Sequence, residues 1–450
     1  MASPDRAPDG ATLHALAREL YPLCRSITGD GVRETVRILQ RVAPVVMHEV
    51  PTGTAVFDWQ VPDEWNIRDA WVADARGRRW IDFRAHNLHV VSYSVPIRRT
   101  VPREELLAHL HTLPSQPDLI PYRTAYYAAT WGFCAPHRLL AALREPEYDV
   151  GIDATLGPGS LTYGECVIPG ATAEEVLLSA HVCHPSLCND NLSSISIAAH
   201  LARQISTQRR HYTYRFLFAP GTIGAITWLA LNQARARQIR HGLVLACLGD
   251  EGPFTYKRSR REHAVVDRVV PAVIGEAGAR LQVRPFSPYG YDERQFCSPG
   301  FDLPVGRLSR SPHGEFSEYH TSADNPAFVT PRALAESYDM LLRTIDAFDA
   351  APAAAAEPWA PEPAPLTGDD ARYRSTSPMC EPQLGRRGLY AALGGTDRAE
   401  REMAMLWVLN QSDGGPSLRT IAARAGLSFA AVRQAAELLE THGLLERCHS

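Results

Sequence analysis

The chain has 450 residues, too many for a single hydrophobic core, so two or three domains are expected. Its composition, with 45% hydrophobic and 21% charged residues, is that of a soluble globular protein. The formal net charge of -4 argues against a protein whose main partner is nucleic acid, because phosphate binding requires clustered lysine and arginine.

The cysteine pattern and the length of the apolar runs indicate the cellular compartment of the protein. The nine cysteines are scattered and never spaced as C-x-x-C, so reduced thiols are expected rather than disulfides or a thiolate zinc site. The first ten residues lack the basic and apolar regions of a signal peptide, and no apolar run reaches the roughly 20 residues that cross a bilayer. The sequence therefore predicts a cytoplasmic protein without membrane contact.

The first third of the chain changes from helical to β-like patterns. Residues 11–45 have apolar residues at helical spacing, interrupted by the polar loop Arg25-Ser-Ile-Thr-Gly29. Arg25 could face a substrate, and the plain alternative is a solvent-exposed arginine. From 45 to 98, short aromatic and β-branched segments, among them 88–93, alternate with turn residues and indicate a small β-rich unit. Residues 121–134 are rich in tyrosine and could wall a pocket or pack within this unit.

From 148 to about 350, strand-like and helix-like segments alternate. The predicted strands are 161–168, 176–180, 212–218, 243–248 and 303–305, and the predicted helices are 192–206, 222–238, 262–279 and 331–349. This alternation predicts an α/β fold with a mainly parallel sheet and helices on both of its faces.

The C-terminal part begins with a proline-rich linker at 351–365. Three helices, predicted at 398–409, 417–425 and 429–441, and a short tail then give the pattern of a winged helix-turn-helix. Residues 397–450 hold six arginines against seven acidic residues, so phosphate binding would be weak. A structural or protein-docking role is therefore favoured over DNA binding.

Polar clusters stand at the ends of the predicted strands. The first joins His181 to Asp190 in the loop between a buried strand and an amphipathic helix, where α/β sheets commonly bind ligands. Further clusters are Asp250 with Glu251, Asp292 with Glu293, and His320 with Asp324. Imidazole and carboxylate are the ligands of catalytic zinc, which keeps one position open for water. The pattern points to a metal centre.

Five stretches in this order resemble the zinc aminopeptidase and glutamate-carboxypeptidase-like superfamily, and within it a branch with an inserted small domain and a C-terminal winged helix. The stretches are Ala180-His181, 190–194, 248–250, 291–296 and 319–324. The resemblance implies a mainly parallel mixed sheet with helices on both faces, a β-rich insert and a winged-helix domain. It divides the chain into N-terminal helices with the first strand (1–57), a lid insert (58–145), a catalytic domain (146–350), a linker (351–373) and a winged helix (374–450).

The resemblance also implies a metal site, from which this chain departs in two places. Relatives usually carry one or two glutamates after the next strand, as general base and second-metal ligand, where this chain has Gly221. Cys183 stands where such enzymes often have an aspartate. The implied site is one zinc rather than two, held by His181, Asp190 and His320, with Asp250 as a fourth ligand or as a group that orients a ligand. His184 could substitute as a ligand or bond locally.

The general base must then come from another position. The candidates are Glu251, Asp292, Glu293 and Glu318, among which Glu293 is favoured and Asp292 belongs to the same acidic motif. Tyr256, Lys257 and Arg260 could bind a substrate carboxylate or phosphate, or stabilise an oxyanion, and the alternative is a solvated basic loop.

Three functions remain open from the sequence. The first is a zinc-dependent, aminopeptidase-like amide hydrolase with zinc-bound water as nucleophile, acting on a small-molecule or short-peptide substrate in a biosynthetic pathway. The second is a degenerate binding or scaffold protein of the same fold. The third is a transcription regulator with a ligand-sensing domain. No nucleic-acid partner is expected, and any homo-oligomer should form through the winged-helix or lid domain.

Overall fold

The structure is a computed structural model that describes residues 7–350, 366, 368, 370–389 and 398–448. The proline-rich linker predicted at 351–365 lies outside these residues, and the domain boundaries stay a prediction. Among the described helices, none is both long and apolar enough to span a bilayer. All nine cysteines are described, and each is a free thiol.

Two amphipathic helices begin the described chain, as their apolar spacing predicts. They are α1 (Gly10–Leu20) and α2 (Asp30–Gln40). The carboxylate of Asp9 accepts the backbone N–H of Thr12 and so caps the start of α1. The buried stripe of α1, which includes Leu13 and Leu20, faces the core.

A β-rich unit follows the first strand of the main sheet, β1 (Val46–Pro51). Its elements are β2 (Ala55–Val56), β3 (Trp59–Gln60), β4 (Glu64–Ala73), β5 (Arg79–Asp82), β6 (Ile97–Pro102), α3 (Arg103–Ala108), β7 (Leu110–His111), β8 (Phe133–Cys134) and β9 (Glu147–Gly157). Its larger sheet is antiparallel in the order β5-β4-β9-β6. The strand predicted at 88–93 is wrong, because a 3-10 turn (Asn87–His89) and isolated bridges occupy this stretch.

The alternating region builds an eight-stranded mixed sheet with helices. Its elements are β10 (Ser160–Ile168), β11 (Glu175–His181), α4 (Ser194–Ile205), β12 (Thr213–Ala219), α5 (Ile223–Leu231), α6 (Gln233–Ala236), β13 (Ile239–Leu245), β14 (Phe254–Lys257), α7 (Val265–Glu276), β15 (Leu281–Arg284), α8 (Glu293–Phe296), β16 (Val305–Ser309) and α9 (Pro331–Ala350). The order is β1-β10-β12-β11-β13-β16-β14-β15, with the central strands β12, β11, β13 and β16 parallel. The mixed α/β prediction is confirmed.

Burial on both faces explains why the central strands are mostly apolar. Every residue of β11 is buried. Val176 and Leu178 belong to the core shared with α1, α4 and α9, whereas Leu177 belongs to the core shared with α5 and the β-rich unit. Because these strands are parallel, their carboxyl ends meet at one edge of the sheet. The loop after β11 begins at that edge.

One alternative and one prediction for this region are wrong. The basic stretch at 254–260 is not a solvated loop, because its first four residues form the buried strand β14 between β15 and β16. The helix predicted at 222–238 is two helices, since α5 ends at Leu231 and α6 begins at Gln233, with Asn232 between them.

The C-terminal unit has the predicted winged-helix form. Its elements are β17 (Arg372–Ser375), α10 (Arg398–Gln411), β18 (Asp413–Ser417), α11 (Leu418–Ala425), α12 (Phe429–Thr441) and β19 (Leu445–Arg447). The three strands form a sheet in the order β18-β17-β19. Ser417 and Ser428 cap α11 and α12, and Gly426 supplies the left-handed residue that ends α11.

Candidate metal centre

The centre lies at the carboxyl end of β11. His181 is the last residue of this strand, and Asp190 belongs to the irregular turn Cys188–Ser193 that leads into α4. Nε2 of His181 lies 2.9 Å from Oδ1 of Asp190, and both side chains are buried. The strand-to-helix loop thus brings the two predicted ligands together.

Two further imidazoles face the same carboxylate. Nε2 of His320 lies 3.1 Å from Oδ2 of Asp190, and Nε2 of His184 lies 3.8 Å from that oxygen. The ligating atoms of His181, His184 and Asp190 all lie within 4.8 Å of one another. His184, which the sequence left open as a ligand or a local partner, is therefore part of the centre, and His320 contacts it from the opposite loop.

The donor set fits a zinc ion. Nε2 of His181 is buried without a hydrogen bond, although Oδ1 of Asp190 is only 2.9 Å away. A buried polar atom without a hydrogen bond costs about 1–3 kcal/mol, and a cation bound by both the nitrogen and the carboxylate would offset this cost. Burial holds the pKa of His184 well below its usual range, so this imidazole is neutral, as a metal ligand must be.

Two buried aspartates, Asp324 and Asp250, accept hydrogen bonds from the turn that carries Asp190. The carboxylate of Asp324 accepts the backbone N–H groups of Cys188, Asn189 and Asp190, at 3.1, 2.5 and 3.0 Å. Asp250 accepts from the side-chain amide of Asn189 at 2.9 Å, and its other oxygen accepts from Ser311 and Gly252. With both oxygens engaged, Asp250 suits the predicted orienting role better than that of a fourth ligand.

The two acidic residues of the 291–296 motif point to different neighbours. Glu293 is fully buried and pairs with Lys257 at 2.9 Å and with Arg307 at 3.6 Å. Burial raises the pKa of Glu293, but these two cations outweigh it and hold the pKa at about 2. Lys257 and Arg307 thus stabilise the anionic form of Glu293, which disfavours this residue as the base, and the choice of base stays a prediction.

Asp292 instead faces the loop after β12. Its Oδ1 accepts the backbone N–H of Thr222 at 2.7 Å, beside Gly221. Burial raises the pKa of Asp292 to about 6. At Gly221 a Cβ atom would lie 3.1 Å from Sγ of Cys183 and 3.7 Å from Cβ of His181. Cys183 therefore crowds position 221, where the relatives have glutamates. The carboxylate of Asp292 comes from a different part of the chain and contacts Thr222, the residue after Gly221.

The residues predicted to bind substrate are engaged inside the fold. The hydroxyl of Tyr256 donates to Asp267, and Arg260 pairs with two aspartates of neighbouring elements. Arg25 is buried and donates to the carbonyl oxygens of His184 and Leu20, at 2.9 and 2.7 Å. Lys257 is occupied by Glu293. The geometry does not support substrate contact by these four side chains, and Arg25 instead fixes the backbone of the His184 loop.

Tyrosines that the sequence analysis did not assign line the centre. Tyr291 stacks on His181, with ring centroids 4.9 Å apart, and donates to Oδ1 of Asp190 at 3.3 Å. Tyr319 stacks on His320 at 3.9 Å. Tyr291 and Tyr319 each stand beside a predicted site residue, and this adjacency was the signal available in the sequence.

The aromatic segment of the β-rich unit forms another wall. The ring of Tyr122 lies 5.0 Å from that of His320 and 5.1 Å from that of His184. Its backbone N–H donates to the carbonyl oxygen of His320 at 2.8 Å, and its hydroxyl lies 3.0 Å from that of Tyr126. The segment 121–134 thus contacts the centre directly.

Comparisons with known proteins agree with this architecture. A family model described as a domain of unknown function, DUF4910, matches residues 14–351. The chain belongs to this DUF4910 family. A second model, described as a winged helix-turn-helix, matches residues 371–447. A relative from Clostridium acetobutylicum, named as a polysaccharide biosynthesis protein with an aminopeptidase-like domain, is 45% identical over 438 residues, 97% of this chain and 96% of the relative.

Solved structures that resemble this chain include one similar in sequence and others that share only the fold. A crystal structure described as a peptidase from Clostridium acetobutylicum has 44% identity and a TM-score of 0.74, covering 98% of this chain and 96% of that one. BSAP, a zinc aminopeptidase from Bacillus subtilis, has 12% identity and a TM-score of 0.55, covering 77% and 96%. An M28 peptidase precursor from Shewanella amazonensis gives 12% identity and 0.52, covering 75% and 92%. The aminopeptidase-like fold predicted from the five motifs is confirmed.

Proposed function

We propose that this chain is a zinc-dependent amide hydrolase of aminopeptidase type, acting on a small peptide-like or conjugated metabolite. The main support is the buried carboxylate of Asp190 surrounded by His181, His184 and His320, with Nε2 of His181 buried 2.9 Å from Oδ1 of Asp190. The pathway assignment draws on the name of the Clostridium acetobutylicum relative, a polysaccharide biosynthesis protein.

The proposed metal ligands are His181, Asp190 and His320, with His184 close enough to complete the set. One ion is expected rather than two, because Gly221 offers no carboxylate for a second. When bound, zinc would supply a water of lowered pKa and polarise the substrate carbonyl.

We assign the proton transfer to Asp292. A water oxygen attacks the amide carbonyl carbon while a carboxylate oxygen of Asp292 takes the proton. Asp292 then gives this proton to the nitrogen as the C–N bond breaks, so a carboxylic acid and an amine are released. Asp292 suits this role because its pKa of about 6 lies near neutrality, whereas Lys257 and Arg307 stabilise the anionic form of Glu293.

Enclosure supports a small substrate. Tyr122 of the β-rich unit covers the centre on the side of His184 and His320, and its backbone hydrogen bond to His320 and hydroxyl contact with Tyr126 hold it in place. Such a walled site suits a compact molecule better than a protein chain.

The test begins with metal analysis of the full chain purified without chelators. About one equivalent of zinc is expected, together with hydrolysis within a panel of aminoacyl and acyl amides. His181→Ala and Asp190→Asn should remove both, while Asp346→Asn, an exposed carboxylate on α9, should change neither. A wild-type chain that neither contains zinc nor takes it up on titration would overturn the proposal.

A degenerate binding protein is the alternative that Gly221 raised in the sequence, and the comparisons do not favour it. Stoichiometric zinc without turnover anywhere on the panel would support this candidate over the hydrolase.

A further inference from the structure

We propose that the winged-helix unit is an internal brace for the active site, and that Glu381 is the positioning residue through which it holds the helix that follows Asp292. The functional consequence rests on the proposed catalytic role of Asp292, whereas the brace itself is a statement about contacts. No DNA partner is needed for this use of the winged helix.

The helix that needs support is α8. It has four residues, Glu293–Phe296, and directly follows Tyr291 and Asp292. A helix of one turn has almost no stability of its own, because nucleation is unfavourable and few backbone bonds form. The positions of Tyr291 and Asp292 must therefore be fixed from outside the segment.

Glu381 supplies this support at the start of α8. Its backbone N–H donates to the side-chain oxygen of Gln295 at 2.9 Å, and its carboxylate pairs with Arg294 at 2.6 Å. The amide nitrogen of Gln295 donates to the same carboxylate at 3.5 Å. The backbone carbonyl of Glu381 accepts from the indole nitrogen of Trp59 at 2.7 Å. One residue thus joins α8 to the β-rich unit.

Neighbouring residues hold the far end of α8. The backbone N–H of Cys380 donates to the hydroxyl of Ser298 at 3.0 Å, and the side-chain amide of Asn410, on α10, donates to the carbonyl of Cys297 at 3.1 Å. Gly300 approaches residues 378–379 so closely that a Cβ atom would lie 2.6 Å from Sδ of Met379. Both ends of the short helix are therefore held by the winged-helix unit, through residues 378–381 after β17 and through Asn410 of α10.

The brace is itself anchored to the catalytic unit. Arg260 is buried and pairs with Asp302 on one side and with Asp413, at the start of β18, on the other. Trp407 of α10 packs edge-on against Phe286, with centroids 5.9 Å apart. An anchored partner of this kind can hold α8 in one position, because it does not move independently.

Loosening the brace should act on the centre through two contacts. Tyr291 would leave Oδ1 of Asp190, and Asp292 would leave the backbone N–H of Thr222. The expected defect is therefore local to residues 291–299 and to metal affinity, while the sheet stays intact.

The experiment measures amide hydrogen exchange of the full chain carrying Glu381→Ala, without metal or substrate. Exchange over 291–299 should rise about tenfold, since two charge-assisted or amide bonds are lost, while residues 175–181 of β11 exchange as in the wild type. Glu381→Gln keeps an acceptor oxygen facing Gln295 and should restore slow exchange. Glu437→Ala, an exposed glutamate of α12, is the matched control and should change nothing.

A second variant, Gln295→Ala, keeps the test decisive if Glu381→Ala fails to fold. Gln295→Ala should raise the same local exchange, because it removes the oxygen that accepts the backbone N–H of Glu381. The double variant should raise exchange further than either single one, because Glu381→Ala also removes the ion pair with Arg294 and the two changes share only the 3.5 Å contact. Unchanged exchange over 291–299 in Glu381→Ala, or a rise spread equally over β11, overturns the brace. Because the readout needs neither zinc nor turnover, a failure of the hydrolase proposal leaves this result interpretable.

Discussion

At the scale of single residues, Asp324 determines where Asp190 stands. Its carboxylate accepts three consecutive backbone N–H groups of the turn that carries Asp190, and it is fully buried. No other described side chain accepts more than one backbone N–H from residues 188–190. Asp324 is therefore a support for the metal centre even though no zinc contact is assigned to it.

Asp324→Asn is expected to weaken the centre without removing a ligand. The new NH2 group would face backbone N–H donors, which costs about 1–3 kcal/mol of the free energy of unfolding. Zinc affinity should fall about 10- to 100-fold, as it does when groups that orient metal ligands are changed. Chelator competition and urea unfolding measure the two effects. Asp346→Asn serves as the control, and an affinity within twofold of the wild type would contradict the prediction.

Asp292 makes the stability of the metal-free protein depend on pH. Burial raises its pKa from 3.8 to about 6, so the folded state binds the proton more tightly than the unfolded state does. The stabilisation is complete below about pH 4 and is lost as the pH rises through about 6. The wild type should therefore lose roughly 2–3 kcal/mol relative to Asp292→Asn between pH 4 and 7. Denaturant titrations across this range measure the difference, and a constant difference would refute the assignment.

At the scale of elements, β12 depends on a buried ion cluster. Arg215 is 1% exposed and pairs with Glu165 of β10 and Glu175 of β11, each at 2.6 Å. Its guanidinium also lies over the ring of Trp228, 5.5 Å from the centroid. The cluster joins three adjacent strands on the side of the sheet that faces α5.

Arg215→Met is expected to lower the free energy of unfolding by about 3–5 kcal/mol, because the buried carboxylate of Glu175 and the largely buried one of Glu165 lose their partner. Urea unfolding measures the loss. Adding Glu175→Gln should recover part of it, since one uncompensated charge is removed. A loss below about 1 kcal/mol in the single variant would show that water already screens the cluster.

The sequence predicts those elements whose local pattern matches their burial. β11 is a short, mostly apolar run that ends in His181, so the strand, the loop and the two ligands follow from one stretch. β14 was missed because its four residues include Lys257, whose burial depends on Glu293, 36 residues away. Pairings between distant elements leave no local periodicity.

The acidic motif at 291–296 also shows that contacts with distant elements cannot be predicted from the local sequence. Asp292 and Glu293 are adjacent, yet one faces the backbone beside Gly221 and the other faces two buried cations. Which of them can act as a base depends on the rotation of a one-turn helix, and contacts with Glu381 and Asn410 from the winged-helix unit help to hold that helix. The sequence could identify the motif but not choose between its members.

At the scale of the whole molecule, the charge of the winged helix bears on nucleic acid. The helix that would read a groove, α12, carries Arg433 beside Glu437, and the chain as a whole has a formal net charge of -4. We expect a dissociation constant weaker than about 10⁻⁴ M for random duplex DNA at physiological salt. Fluorescence anisotropy at 50 and 200 mM salt measures it, and tighter binding that weakens with salt would contradict the prediction.

The backbone tie between Tyr122 and His320 has a consequence for how the site can open. A lid on a free hinge can swing away and leave the groups beneath it untouched. Here the segment 121–134, which covers the centre, is joined to the candidate ligand His320 by a backbone hydrogen bond from Tyr122. Lifting this segment would therefore pull on the loop that carries His320. Admission of substrate and retention of the ion would then be mechanically linked, and a molecule that forces the cover open would also hasten escape of the ion.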